Sequence, residues 1–239
     1  MICDLHMHIV PGVDDGATDL KMSIEMLRIA YSQGVRNVFC TSHNMYSANE
    51  MQRYKNNFAS LQTDAKDLFS ELNLYTGNEI LCTQDYIEEI ISQLNDGNIL
   101  SLNNTRHVLV EFYSDVDSDE ANRVVRTLIS NNWIPVIAHA ERYSLLSLKA
   151  IKELISIGAL VQINLYSLQE ELNSDIKTKA RTLIRNQLVH FVGSDAHRVN
   201  HRSPKYESGI KYLNEHCNKE YYEDLCFRNV SKILNGDII

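Results

Sequence analysis

The sequence lacks the motifs that mark several large classes of enzyme. It contains no Gly-x-x-x-x-Gly-Lys phosphate loop, no Gly-x-Ser-x-Gly nucleophile turn and no His-Glu-x-x-His metal-binding helix. None of its five cysteines is followed six positions later by arginine, the spacing of a cysteine-based phosphate-binding loop. The usual motifs of a serine or cysteine nucleophile are therefore both absent.

The cysteines also lack the spacing of a disulfide framework. Cys3, Cys40, Cys82, Cys217 and Cys226 are odd in number, scattered, and form no Cys-x-x-Cys pair. A chain of 239 residues that is 44% hydrophobic can bury a large core without covalent cross-links. We expect all five to be reduced thiols, buried or half-buried.

Long hydrophobic runs are absent as well. No segment approaches the roughly 18 consecutive apolar residues of a membrane span, and the first residues do not have the pattern of a signal peptide. No Pro/Gly/Ser-rich linker, internal repeat or low-complexity tract interrupts the chain. We therefore expect a cytoplasmic protein without direct membrane insertion, folded as a single domain over residues 1–239.

Positive charge is scarce. The formal net charge is −8, which argues against nucleic-acid binding and would by itself repel an anionic ligand. Bound divalent cations would cancel most of this charge and would concentrate positive charge at one site.

Short apolar, β-branched runs recur along the chain with helical segments between them. Such runs are typical of parallel strands covered on both faces. Helices are predicted at about 49–71, 118–132, 147–157 and 175–186, and a first helix can begin at Thr18 or Asp19 and end at Gly34. The seven strands of this α/β pattern predict a closed or nearly closed (β/α) barrel, with strands at 2–5, 37–41, 73–76, 108–112, 134–138, 160–163 and 189–192.

Histidines and carboxylates lie at or just after the ends of these strands, where barrels of this class assemble their sites. His6 and His8 are two positions apart, so on extended backbone both side chains face the same way. Glu111 ends an apolar run in which an unpaired carboxylate would cost several kcal/mol, so a cation is needed there, either a metal or an arginine. The candidate ligands found in this way are His6, His8, His43, Glu79, Glu111, His139, Asp195 and His197.

Each of these residues also has an ordinary explanation. An isolated histidine is often exposed or hydrogen-bonded to backbone, an isolated glutamate is often a surface group, and Asp195 could cap a helix. Their joint occurrence at the strand ends is harder to explain without metal, and together they exceed the ligands that one ion can use. The sequence therefore predicts a multinuclear metal centre.

The pattern of these residues resembles that of a known family, the polymerase and histidinol phosphatase (PHP) superfamily. Within it, the sequence is most similar to the manganese-dependent bacterial protein-tyrosine phosphatases of capsular and exopolysaccharide loci. The resemblance runs from Ile2 almost to the C-terminus. It rests on His6-x-His8, Asp14-Asp15-Gly16, Thr41-Ser42-His43, Gly77-x-Glu79, Glu111-Phe112, Ala138-His139-x-Glu141-Arg142-Tyr143, Gln162-x-Asn164 and Ser194-Asp195-x-His197.

The resemblance implies a distorted seven-stranded (β/α) barrel of the PHP type with three divalent metal ions. It adds Asp15, which spacing alone does not select. Mn²⁺ is the ion that the resemblance favours, and the mixed ligand types also suit Fe or Zn²⁺. By the resemblance, one ion is held by His6, His8, Glu79 and Asp195, a second by Glu79, Glu111 and His139, and a third by Asp15, His43 and His197.

Arg142 and Arg202 are candidates for binding phosphate, because a guanidinium offers a planar pair of donors. From the residues alone, a surface salt bridge is the more common explanation for each. The resemblance reverses this preference, since both positions match arginines that the family uses on substrate phosphate.

The function that the resemblance implies is hydrolysis of protein phosphotyrosine by a metal-bound hydroxide. The implied substrate is the tyrosine-rich tail of a phosphorylated bacterial tyrosine kinase that acts in capsule synthesis. Two alternatives remain open: a small-molecule phosphatase such as histidinol-phosphate phosphatase, and a non-catalytic, metal-stabilised module that binds the kinase. The sequence leaves open whether the protein is an oligomer.

Overall fold

The structure is a computed structural model that describes residues 1–44, 47–170, 174–237 and 239. Within these residues, seven parallel strands form one sheet in sequence order. This confirms the predicted α/β fold with a seven-stranded barrel, in which β2 and β3 run further than expected and β7 starts later. The strands are β1 Ile2–Met7, β2 Val35–His43, β3 Asn73–Leu81, β4 His107–Glu111, β5 Ile134–Ile137, β6 Leu160–Asn164 and β7 Phe191–Gly193.

The helices lie between and after the strands. Five of them begin at a serine or aspartate whose side chain accepts a hydrogen bond from a backbone N–H in the first turn, at Asp19, Ser47, Asp117, Ser147 and Ser174. The predictions named these five helices but not α3 or the three helices after β7. The helices are α1 Leu20–Ser32, α2 Ala48–Leu68, α3 Ile87–Asn95, α4 Ser118–Ser130, α5 Leu148–Ser156, α6 Asp175–Arg185, α7 Glu207–His216, α8 Lys219–Glu223 and α9 Asn229–Asn235.

The inner face of the sheet changes character along the strands. Near their N-terminal ends it carries apolar residues such as Leu5, Phe39 and Phe191, and Val230 and Ile233 of α9 pack against this cluster. Further along, side chains on the same face are polar. The barrel is thus filled and covered at one end by apolar groups and presents its polar ligands at the other.

The barrel is closed between β1 and the segment after β7. Met7 and Ala196 form a parallel bridge, and the His8 N–H donates to the Ala196 carbonyl over 2.9 Å. Asp4, which is fully buried, reinforces this closure: its Oδ1 accepts from Ser194 N at 2.9 Å and its Oδ2 accepts from Tyr206 Oη at 2.5 Å. One carboxylate therefore joins β1, the turn after β7 and the start of α7.

We expect Tyr206→Phe to lower the free energy of unfolding by about 1–3 kcal/mol, because it leaves a buried oxygen of Asp4 without its donor. The measurement is urea unfolding followed by circular dichroism. Tyr212→Phe is the matched control, since Tyr212 lies in α7, the helix that begins directly after Tyr206, and its buried hydroxyl has no hydrogen-bond partner among the described residues. Equal losses in the two variants would contradict the role assigned to Tyr206.

Within the described residues, no helix is both long and apolar enough to cross a bilayer.

Candidate metal centre

All nine predicted metal ligands lie together at the C-terminal end of the barrel. They form four overlapping groups, and within each group one ligand atom from every member lies within 4.8 Å of the others. The assignment of individual ligands to individual ions stays a prediction. The groups are His8 with Asp15, His43 and His197; His6 with His8 and Asp195; His6 with Glu79 and His139; and His43 with Glu79 and Glu111.

Glu79, near the end of β3, is the centre of this arrangement. Its Oε1 lies 2.8 Å from His139 Nε2 and 3.3 Å from His6 Nε2. Its Oε2 lies 3.1 Å from His8 Nε2 and 3.3 Å from His43 Nδ1. A carboxylate that faces histidines through both oxygens has the geometry to bridge two cations.

Two further carboxylates flank Glu79. Glu111 ends β4 and places Oε1 3.4 Å from His139 Nε2. Asp195 follows β7 and places Oδ1 3.6 Å from the Nε2 atoms of both His6 and His8. Glu111, at the end of its apolar strand, therefore faces the same histidine, His139, as Glu79 does.

The remaining ligands form the outer part of the centre. Asp15 Oδ1 lies 3.5 Å from His43 Nε2 and 3.4 Å from His197 Nε2. The side chain of Asp15 is 62% exposed and that of His43 is 42% exposed, whereas those of His6 and His8 are completely buried. Asp15 and His43 therefore expose this outer group to solvent, whereas His197 is buried.

Neighbouring charged and hydrogen-bonding groups shift the pKa values of residues at the centre. Burial tends to lower the pKa of His8, but hydrogen bonds to Asp14 and Glu79 raise it to about 10. Burial likewise opposes ionisation of Glu79, but the histidines around it, when protonated, hold its pKa well below the usual value. The residues thus favour an ionised carboxylate among cationic groups, an arrangement that divalent cations can replace.

Left-handed backbone occurs at three of the predicted site residues. His139 has φ 32°, Asp195 has φ 53° and Arg202 has φ 50°. Side chains other than glycine adopt this region at a cost, and such residues concentrate at functional sites. The conformation turns the chain directly after β5 and β7, where two of the ligands lie.

Two supporting residues were not assigned roles from the sequence. Asp14 Oδ2 lies 2.8 Å from His8 Nδ1 and accepts from the His43 N–H at 3.1 Å, so it fixes the ring of one ligand and the backbone of another. The Tyr143 hydroxyl lies 3.3 Å from His139 Nδ1. Such contacts orient metal-binding histidines, and their only signal in the sequence is their place beside the ligands in the quoted motifs.

Arg142 and Arg202, the predicted phosphate-binding residues, both contact Asp195. Arg142 Nη2 lies 2.8 Å from its Oδ2, and Arg202 Nη2 lies 2.6 Å from its Oδ1. Their side chains are 37% and 34% exposed and line a cavity of about 370 Å³ together with Tyr166, His201 and Lys205. The two guanidinium groups therefore sit between a predicted metal ligand and an open, basic cleft.

The residues fit a metal centre. Mixed imidazole and carboxylate donors suit Mn²⁺, Fe or Zn²⁺. Oδ1 of Asp195 is buried and, among the described residues, has no hydrogen-bond partner of good geometry, although Arg202 is close. Because this oxygen accepts no well-oriented hydrogen bond, it keeps a lone pair free for a metal ion, and the Nε2 atoms of His6 and His8 lie 3.6 Å away to complete a ligand set.

The sequence matches the family model for capsular polysaccharide synthesis proteins CpsB/CapC over residues 2–235. It is 32% identical over 246 aligned residues to the tyrosine-protein phosphatase CpsB of Streptococcus agalactiae, covering 99% of each chain. It is 33% identical over 226 aligned residues to the tyrosine-protein phosphatase YwqE of Bacillus subtilis, covering 91% of this chain and 85% of YwqE.

The fold matches a solved structure as well. A crystal structure from a study of YwqE from Bacillus subtilis and CpsB from Streptococcus pneumoniae, described as unique metal-dependent tyrosine phosphatases, superposes with a TM-score of 0.89. The match covers 100% of this chain and 96% of the other, at 30% sequence identity.

Proposed function

Because the chain belongs to the CpsB/CapC family, we propose that it is a metal-dependent protein-tyrosine phosphatase of capsule synthesis. The observation that carries this proposal is the grouping of nine histidine and carboxylate side chains, with Glu79 at their centre, directly beside two arginines in an open cleft. The similarity to tyrosine phosphatases extends over the full chain. It therefore includes this site.

The nine ligands would hold three divalent ions, with Mn²⁺ as the proposed metal. His6, His8, Glu79 and Asp195 would bind the first, Glu79, Glu111 and His139 the second, and Asp15, His43 and His197 the third. The placement of Glu79 between four histidines supports its role as the bridge. Bound ions of this kind ionise water near neutral pH and neutralise charge on phosphoryl oxygens.

The arginines would bind and orient the phosphate. Arg142 and Arg202 approach Asp195 from the cleft, so their exposed donors can reach phosphoryl oxygens placed next to the ligands. Because they are fixed charges at a partly enclosed site, they would stabilise the charge that develops during phosphoryl transfer. We propose that these two residues are the catalytic residues contributed by the protein itself.

The phosphate ester of a tyrosine side chain is a suitable substrate for such a site. The phenol leaving group has a pKa of about 10, so its departure depends less on a general acid than that of an alkoxide. We propose that the substrate is a phosphorylated bacterial tyrosine kinase of the capsule system, met in the cytoplasm. We also propose that residues 1–239 act as one domain.

The direct test measures metal content and phosphotyrosine-peptide hydrolysis on the same purified sample, with and without added Mn²⁺. We expect hydrolysis that depends on bound metal. Comparison with histidinol phosphate separates the small-molecule alternative, which would show the opposite preference. A protein that binds the kinase and retains its metals without turnover would instead be the binding module.

We expect hydrolysis to be insensitive to thiol alkylation. Four cysteines are buried, and burial raises the pKa of the half-buried Cys217 to about 11, so little reactive thiolate is present. The check is activity after mild iodoacetamide treatment, with modified positions mapped by mass spectrometry. Loss of turnover with metals retained would contradict a metal-based mechanism and would point to a cysteine nucleophile.

A further inference from the structure

Strand β6 supplies no predicted metal ligand, yet two of its side chains face the centre. Gln162 and Asn164 are two positions apart and therefore lie on the same face of the strand. Both are buried, at 0% and 2% exposure. Buried amides are stable where their hydrogen bonds are satisfied, so their partners indicate what these residues do.

The two amides form one hydrogen-bonded chain across the floor of the centre. Gln162 Oε1 accepts from the backbone N–H of His139 at 2.8 Å and lies 3.4 Å from His6 Nδ1. Gln162 Nε2 donates to Asn164 Oδ1 at 2.9 Å, and Asn164 Nδ2 donates to Asp195 Oδ2 at 3.1 Å. The chain thus contacts three predicted ligands, which come from three different strand ends.

The two ends of this chain fix the direction of its hydrogen bonds. A carboxylate can only accept, so Asn164 must turn its Nδ2 toward Asp195 and its Oδ1 toward Gln162. At the other end a backbone N–H can only donate, so Gln162 must turn its Oε1 toward His139. Both ends require the same orientation, and neither amide can flip without losing hydrogen bonds.

This orientation has a consequence for His6. An amide oxygen carries no hydrogen, so His6 Nδ1 must carry one for its contact with Gln162 Oε1 to be attractive. A neutral imidazole protonated at Nδ1 has a free lone pair at Nε2. Nε2 is the atom that faces Glu79 and Asp195, at 3.3 and 3.6 Å.

The backbone leaves room for this arrangement. A Cβ atom at Gly193 would lie 2.8 Å from His6 Cβ and 3.0 Å from Gln162 Nε2, closer than real Cβ contacts allow without displacement. Glycine at the end of β7 therefore lets His6 and Gln162 approach each other.

We propose that Gln162 and Asn164 are positioning residues, an amide relay that holds His6 in the Nδ1-protonated tautomer and couples it to the orientation of Asp195. The relay acts through the ligands and does not itself bind metal or substrate. It rests on the proposed function only in requiring that the nine residues bind metal.

The test is Zn²⁺ affinity, measured by competition with a chromophoric chelator, for Gln162→Met and Asn164→Leu. Both substitutions roughly preserve side-chain shape and remove the relay. We expect each to weaken binding by about 10- to 100-fold, as loss of the contacts that orient ligands usually does. The double variant should bind Zn²⁺ about as weakly as the single variant with the lower affinity. Once either amide is removed, the hydrogen-bonded relay is already interrupted, so removing the other changes the affinity little further.

Asn229→Leu is the matched control. Asn229 is also a buried amide, at 6% exposure, and its Nδ2 donates to the His190 carbonyl over 3.0 Å, outside the relay. We expect it to lower the melting temperature without changing Zn²⁺ affinity. A second readout is the nitrogen chemical shift of His6 in ¹⁵N-histidine-labelled, zinc-loaded protein, which should show a protonated Nδ1 in the unmodified chain.

Four results would overturn the relay. They are Gln162→Met binding within about twofold of the unmodified chain, losses that multiply in the double variant, an equal loss of affinity in Asn229→Leu, or His6 protonated at Nε2. If Gln162→Met does not fold, an unchanged Zn²⁺ affinity in Asn164→Leu would also overturn the relay. If the unmodified chain binds no divalent metal, the proposed function fails together with the relay, whereas the results above leave the proposed function intact.

Discussion

Glu79→Ala is expected to release two of the three proposed ions and to reduce phosphotyrosine hydrolysis by more than about 100-fold, beyond the range usual for residues outside the ligand set. The reason is its position. Both of its oxygens face histidines, at 2.8 to 3.3 Å, so no neighbouring carboxylate can take its place. Without it, two closely spaced cations would also lose the negative charge that offsets their repulsion.

Elemental analysis of the purified variant measures this effect, and circular dichroism checks that it folds. Glu111→Ala is the control, because Glu111 lies against His139 and one side of His43 and should affect one ion only. Retention of all three ions by Glu79→Ala would refute the bridging role.

Arg142→Ala and Arg202→Ala are each expected to lower kcat/KM by roughly 100-fold or more, the usual loss when one preorganised donor is removed from a transition state. Both guanidinium groups are anchored on Asp195 and partly exposed to the cleft, so their donors are held in place before substrate arrives. Metal content should remain close to normal. Arg126→Ala, at an exposed position of α4, controls for the loss of a positive charge.

The contacts with Asp195 also allow a different result. If the arginines only stabilise the fold or hold Asp195, their removal would lower the melting temperature or the metal content while turnover per bound metal stayed near normal. That outcome would remove both residues from the catalytic site. The two outcomes are separated by measuring kinetics, metal content and thermal unfolding on the same preparations.

The strands, and the grouping of most candidate ligands at one end of the barrel, could be predicted because one rule connects them. Parallel strands with helices between them bring their C-terminal ends to one edge, so a histidine or carboxylate at each end has to join the others. Glu111 and His139 illustrate this, since their strands are neighbours and their side chains meet at 3.4 Å. Helix α3 and the helices after β7 were not predicted. Helices α3 and α7 follow Tyr86 and Tyr206, whose side chains do not cap the first turn, so both lack the capping signal of the five predicted helices.

Other parts of the centre depend on three-dimensional contacts that spacing does not encode. Asp15 lies in a loop after β1 and reaches His43 and His197 only through the path of that loop. The pairing of Arg142 and Arg202 with one carboxylate joins separate loops. The orientation of Gln162 and Asn164 follows from the chemistry of their partners, which is known only when the partners are.

The closure of the barrel through Asp4 bears on the order of folding. Asp4 forms hydrogen bonds with Ser194 and Tyr206, which lie 190 and 202 positions later in the sequence. The candidate ligands His6 and Asp195 are separated by almost as many positions. Contacts of such long range form late, because a large loop must first be closed. During translation, the first strands therefore leave the ribosome well before the residues that would complete the first proposed metal site. A nascent chain shorter than about 195 residues would expose histidines and carboxylates without a site, and metal loading would follow synthesis rather than accompany it.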